Sequence, residues 1–216
     1  PLNIKNKSDQ GGNLFKSISS AIKELKLENK LNIYPIKLND ITVNACWKHL
    51  AKEHGEISGL KIGLVGTGNI GSKLISVLTE SGVKVRCFNR NINKAISVVN
   101  TVILTKPEHV ITSPDVVRRF EHTMINSDGL ILSCSDFEQD ISDFIYLMKN
   151  DFKIYLIGHS LLKKDSLSKL RSKNIDVQRI DVGKELLAYI TGTIITNKYS
   201  VYGCSKYKGE FVCSGG

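Results

Sequence analysis

The spacing of apolar residues changes several times along this chain, and each change marks an element. Leu14, Phe15, Ile18, Ala21, Ile22 and Leu25 recur at helical spacing, which predicts an amphipathic helix over about 13–26. Residues 1–12 before it are polar, and Lys30 to Leu38 reads as extended, interrupted by Pro35. Asn39-Asp40 is a helix start signal, because short acceptor side chains can cap free N–H groups. The helix expected from Ile41 to about Glu53 carries Val43, Ala45, Cys46, Trp47 and Leu50, and ends near Gly55. Then the period shortens. Ile62, Leu64 and Val65 form a short apolar run, a strand by length and composition. Ile70, Leu74, Ile75 and Leu78 restore helical spacing up to Gly82, and Val83 to Phe88 is a second strand.

The alternation continues. A helix is expected over Asn93 to Asn100. Thr101 to Thr105 is apolar and β-branched without a clear period, Pro107 breaks it, and Val110-Ile111-Thr112 is a candidate short strand. Pro114 suits a first helical position and predicts a helix through about Met124. Strands are expected at Gly129 to Cys134, Lys153 to Ile157 and Ile175 to Ile180, and helices at Ile141 to Met148, Leu162 to Ser172 and Val182 to about Ile195. Strands alternating with helices predict an α/β fold: a doubly wound parallel sheet with helices on both faces and an N-terminal helical arm. The expected division is an arm over 1–40, the sheet domain over 41–200 and a Tyr/Lys/Gly-rich tail over 201–216.

Composition changes this picture little. With 41% hydrophobic and 24% charged residues, the 216-residue chain reads as an ordinary globular protein. Its net charge of +9 comes from scattered Lys and Arg. That favours anionic ligands, but there is no helix-turn-helix, Cys/His finger or aromatic RNA-binding pattern, so nucleic acid is not the expected partner. Five cysteines without a C-x-x-C pair fit reduced thiols in a cytoplasmic protein; only Cys204 and Cys213, in the polar tail, are placed to pair or react. No apolar run approaches a membrane span, and no metal-ligand cluster is evident.

The chemistry lies where the first strand meets its helix. Gly66, Thr67, Gly68, Asn69, Ile70 and Gly71 form G-x-G-x-x-G between a strand and a helix, with a second strand following. In that frame the pattern is a dinucleotide fingerprint. Gly66 permits a sharp turn, Gly68 a close approach of backbone to pyrophosphate, and Gly71 close helix–strand packing, while the helix N-terminus offers free N–H groups and partial positive charge. The second strand ends Asn89-Arg90, where an NAD site usually places a carboxylate on the adenosine ribose. A guanidinium there can bind a 2′-phosphate through paired hydrogen bonds, and Lys94 lies one helical turn on, so NADP is favoured over NAD.

These residues resemble the cofactor domain of the shikimate dehydrogenase and glutamyl-tRNA reductase group. The resemblance runs over roughly residues 40–180, on a linking helix (Thr42 to His49), the Gly66–Gly71 turn and Asn89-Arg90-Asn-Ile-Asn-Lys94-Ala95. It implies a Rossmann domain binding a nicotinamide cofactor. Members carry their catalytic residues in an N-terminal domain of a hundred or more residues, whereas about 40 precede the linking helix here, so no catalytic residue carries over.

Other candidates follow from the rule that ligands in such sheets bind beyond the carboxyl ends of the strands. Ser133, Cys134 and Ser135 end the fourth strand and are expected near the nicotinamide ribose. His159, after the fifth, is a candidate general acid, and Asp181 and Lys184, after the last, are further catalytic candidates. Asp181 also suits a helix cap. The leading functional expectation is an NADP-dependent oxidoreductase, or its cofactor module, moving hydride to or from a small carbonyl, imine or alcohol. The competing expectation is a non-catalytic nucleotide-binding subunit. The helix over 13–26 is expected to dock on a second copy or a partner subunit, the alternative being that it packs back on its own chain.

Overall fold

A computed structural model describes residues 14–27, 36–134, 139–158, 162–199, 204–207 and 210–213. Residues 38–194 form one unit, and residues 1–37 with 195–216 form another.

In the larger unit, α2 (Leu38–His54) precedes β1 (Lys61–Val65), α3 (Asn69–Glu80), β2 (Lys84–Phe88), α4 (Ile92–Thr105) and β3 (Asp115–Val116). Then come β4 (Gly129–Leu132), β5 (Lys153–Leu156), α5 (Lys164–Ser172), β6 (Asp176–Arg179) and α6 (Gly183–Tyr199), of which residues 195–199 are counted with the smaller unit. The six strands make one parallel sheet in the order β3-β2-β1-β4-β5-β6. The order reverses between β1 and β4, which sets a crevice at their carboxyl ends.

The central strands β1, β4 and β5 are buried on both faces, as strands of parallel sheets are, and side-chain alternation divides the core in two. Ile62, Leu64, Val85, Cys87 and Ile131 point into one cluster with α2, α3 and α4. Val65, Leu130, Leu132 and Ile154 point into the other, closed by Phe120, Met124, Ile141 and Leu170. Burial pushes the Cys46 thiol up to about 12 and raises that of Cys87 as well, so both stay protonated packing groups.

Several expectations need correction. The helix read from Pro114 does not form. Asp115–Val116 instead pairs with Arg86–Cys87 at the sheet edge, and Phe120–Thr123 makes only a 3₁₀ turn, which buries Phe120 and Met124. Non-local backbone pairing with β2 outweighs the local start signal at this position. Val110-Ile111-Thr112 is not a strand; the Lys106 ammonium donates to the Val110 and Thr112 carbonyls at 2.7 Å each, and Ile111 is exposed. Thr101–Thr105 continues α4, because Ala95, Val99 and Val102 bury one stripe while Asn91 caps the start through the Lys94 N–H. Asn39-Asp40 is not a cap: α2 already begins at Leu38, and Asp40 pairs with Lys73 of α3. Residues 141–147 are 3₁₀ rather than α-helical.

In the smaller unit, Leu14–Glu24 is helix α1, with Ile18 and Leu25 exposed. The tail, read without strands, contains an antiparallel hairpin of β7 (Cys204–Tyr207) and β8 (Glu210–Cys213), in which Cys204 stands opposite Cys213. The polar stretch 1–12 and the extended reading at 30–35 lie outside the described residues. Among the described residues, no helix is long and apolar enough to cross a membrane.

Candidate functional site

The crevice between β1 and β4 holds the glycine turn, and its three glycines differ in what forces them. Gly66 has φ +98°, a conformation that a side chain strongly disfavours, and a Cβ there would lie 3.0 Å from the Cys134 nitrogen. Gly71 has no room: a Cβ would lie 1.8 Å from the Gly66 oxygen. Gly68 has neither constraint. Its φ is −79° and its ψ −163°, which any residue adopts, and a Cβ would meet nothing within 4 Å. The protein's own packing therefore does not require glycine at 68; the space beside it, at the start of α3, is open. No side chain caps that helix start, and its first turn carries no acidic residue. Both leave the terminus free for an anion.

The turn is held from both neighbouring strands. The Gly66 N–H donates to the Phe88 carbonyl at 2.9 Å, and the Asn89 amide donates to the Thr67 hydroxyl at 2.7 Å. Asn89 in turn accepts from the Asn91 N–H at 3.0 Å. From the β4 side, the Ser133 N–H donates to the Val65 carbonyl at 2.9 Å, and the Ser133 hydroxyl donates to the Gly66 carbonyl at 2.7 Å. Thr67 is buried, Asn69 exposed, and Ile70 half-buried. Arg90 and Lys94 are exposed beyond the end of β2.

A cavity of about 930 Å³ opens beside the turn. Ile70, Ser133 and Cys134 form one wall, and Ile157, Gly158 and the segment from Arg179 to Gly183 another, with Thr42 of α2 contributing as well. Asp181 lines this cavity, and one of its carboxylate oxygens accepts the Gly183 N–H at 2.9 Å, a capping contact. Lys184 is exposed and does not line it. Ser135 and His159 lie outside the described residues. Sequence reasoning missed Thr42 and Arg179. The carboxyl-edge rule that singled out Ser133 reaches Arg179 too, since it ends β6; Thr42 sits before the motif and had no such signal.

The profile of the NAD binding domain of D-isomer specific 2-hydroxyacid dehydrogenases matches residues 35–126. The chain carries an NAD(P)-binding Rossmann domain resembling those of the shikimate dehydrogenase and glutamyl-tRNA reductase group. It is 34% identical over 110 residues to glutamyl-tRNA reductase from Thermosipho melanesiensis, a match spanning 48% of this chain and 28% of that protein. Shikimate dehydrogenase from Aquifex aeolicus superposes with a TM-score of 0.55 at 21% identity, over 74% of this chain and 57% of that one. A second shikimate dehydrogenase, solved with NADP+, gives 0.51 at 13% identity, over 74% and 56%. Quinate dehydrogenase from Corynebacterium glutamicum, solved with NAD, also gives 0.51, at 11% identity, over 72% and 55%. The chain thus spans little more than half of these structures and about a quarter of the reductase. These likenesses support the domain as dehydrogenase or reductase type without separating NAD from NADP.

Proposed function

We propose that this domain binds NADP(H) and serves hydride transfer to or from a small carbonyl, imine or alcohol substrate. The observation that carries the reading is Gly68. Its neighbours in the motif are glycines for the protein's own reasons, whereas the Cβ site of Gly68 is open and lies beside an uncapped helix start. A pyrophosphate fits that space and that partial charge. The residues that would hold the cofactor are Gly66, Thr67, Gly68, Asn69, Ile70 and Gly71 at the phosphates, and Asn89, Arg90 and Lys94 at the adenosine ribose. Cys134 stands at the nicotinamide side, on the cavity wall.

Once bound, the nicotinamide supplies the hydride chemistry, and the protein supplies geometry and charge. Arg90 takes the place of the carboxylate that would repel a 2′-phosphate, which supports NADP over NAD. Within the cavity, Asp181 is the described candidate for proton transfer, with its capping contact fixing its orientation. Calorimetric titration of the folded chain with NADPH and NADH tests the reading. NADPH should bind the more tightly, and binding of neither would overturn the assignment.

A further inference from the structure

We propose that Ser133 is a positioning residue for the phosphate-binding turn, acting through the Gly66 carbonyl rather than by touching the cofactor. The proposal rests on the dinucleotide reading of the crevice and assigns a role to a residue that position alone would place against the nicotinamide ribose.

The geometry is specific. A hydroxyl has one proton to donate, and that of Ser133 faces two carbonyls, Gly66 at 2.7 Å and Val65 at 3.0 Å. Both belong to the strand end that becomes the turn. The proton is therefore spent inside the protein. The Gly66 peptide is trans, as are all described peptides, so the Thr67 N–H points opposite to the Gly66 carbonyl. Drawing that carbonyl toward β4 turns the Thr67 N–H away from β4. It also keeps a partial negative charge from facing an anion. The same few ångströms contain Gly71, where a Cβ would lie 2.8 Å from the Ser133 hydroxyl oxygen and 1.8 Å from the Gly66 oxygen. Hydroxyl, carbonyl and the first turn of α3 thus form one packed contact. Asn89 holds the next residue, Thr67, from the opposite strand, so a shift of the Gly66 peptide has to be absorbed within a turn that is fixed on both sides.

Two measurements on the full chain test this, with Ser133→Ala and Ser133→Thr. The first is hydrogen exchange without ligand. Ser133→Ala should speed exchange across residues 66–72 while β4 and β5 keep their protection, and Ser133→Thr, which retains the hydroxyl, should restore the parent rates. The second is titration. Loss of one such hydrogen bond should weaken NADPH and NADH alike by about five- to tenfold, since both carry the pyrophosphate. The NADPH-to-NADH ratio should stay fixed, and Ser133→Thr should recover both affinities. Parent-like exchange and affinity in Ser133→Ala overturn the proposal. So does a Ser133→Thr protein as impaired as Ser133→Ala when both melt at the parent temperature. If the parent binds neither dinucleotide, the functional reading fails by that result, and the exchange measurement still decides whether Ser133 fixes the turn.

Discussion

Glycine at position 68 separates what the fold needs from what a ligand needs. Replacing Gly68 with alanine adds a Cβ to open space at an ordinary backbone conformation. The melting temperature should therefore stay at the parent value while dinucleotide affinity falls, and Gly68→Asp should abolish binding by placing a carboxylate at the pyrophosphate position. Gly71→Ala should do the reverse first: its Cβ collides with the Gly66 carbonyl, and overpacking of that kind costs about 1–3 kcal/mol of stability. Thermal melts and calorimetry on the three variants read both effects. If Gly68→Ala were destabilised and Gly71→Ala were not, the assignment of roles within the motif would be inverted. Arg90 is tested by selectivity. A charge-assisted contact to a phosphate is worth roughly 1.5–3 kcal/mol, so Arg90→Ala should weaken NADPH about ten- to a hundredfold. NADH, which lacks the 2′-phosphate, should be nearly unaffected; equal losses would remove Arg90 from the 2′-phosphate.

Among the elements, α2 is tied to β5 and β6 by a polar seam that makes its docking sensitive to acid. Lys153 donates to Glu53 at 2.8 Å and Gln178 donates to the same carboxylate oxygen at 2.9 Å. His49 pairs with Gln178, and His54 pairs with the hydroxyl of the fully buried Tyr155 at 2.7 Å. The hydrogen bonds from Lys153 and Gln178 lower the Glu53 carboxyl from 4.5 to about 2. Its contribution is complete above the unfolded value and is lost as the pH falls from 4.5 toward about 2. Burial, helped by the Lys153 charge against the opposing charges of Asp128 and Glu53, lowers His54 below its usual 6.5. The fold thus favours neutral His54, and this contribution is also present above the unfolded value and fades as the pH drops below 6.5. Melting temperature measured from pH 8 to pH 3 should decline in two steps. His54→Gln should remove the upper step, and Glu53→Gln should shrink the lower one. Glu53 shares that lower step with Asp128, where burial is outweighed by hydrogen bonds from Lys149 and the Lys61 N–H, and with Asp140, held down by its hydrogen bond from Ser142. A profile unchanged in both variants would refute the seam's role.

The same scale shows why only part of the fold could be read in advance. From β1 through β2 the elements are fixed by nearby residues, an apolar run, a glycine turn and a helical stripe, and the structure has them there. Asp115–Val116 are decided by pairing with β2, which no local pattern reveals. The Ser133 hydroxyl is the same case within the site: its partner Gly66 is 67 positions away, so the sequence placed the residue at the correct edge but not in its contact.

Across the whole molecule, the net charge of +9 bears on how an anionic ligand arrives. A positively charged protein raises the encounter rate of anions, and dissolved salt screens that attraction over about 10 Å at 0.1 M ionic strength. NADPH carries a phosphate that NADH lacks, placed by the proposed pose beside Arg90 and Lys94. Stopped-flow association rates measured from low to high salt should therefore fall for both dinucleotides and fall more steeply for NADPH. Dissociation rates should change less, because contacts already formed in the crevice are partly shielded from solvent ions. Arg90→Ala should bring the NADPH slope down toward that of NADH without altering the NADH slope. Parallel slopes for the two dinucleotides in the parent protein would mean that the basic residues act only as a diffuse background and that the 2′-phosphate is not received at the end of β2.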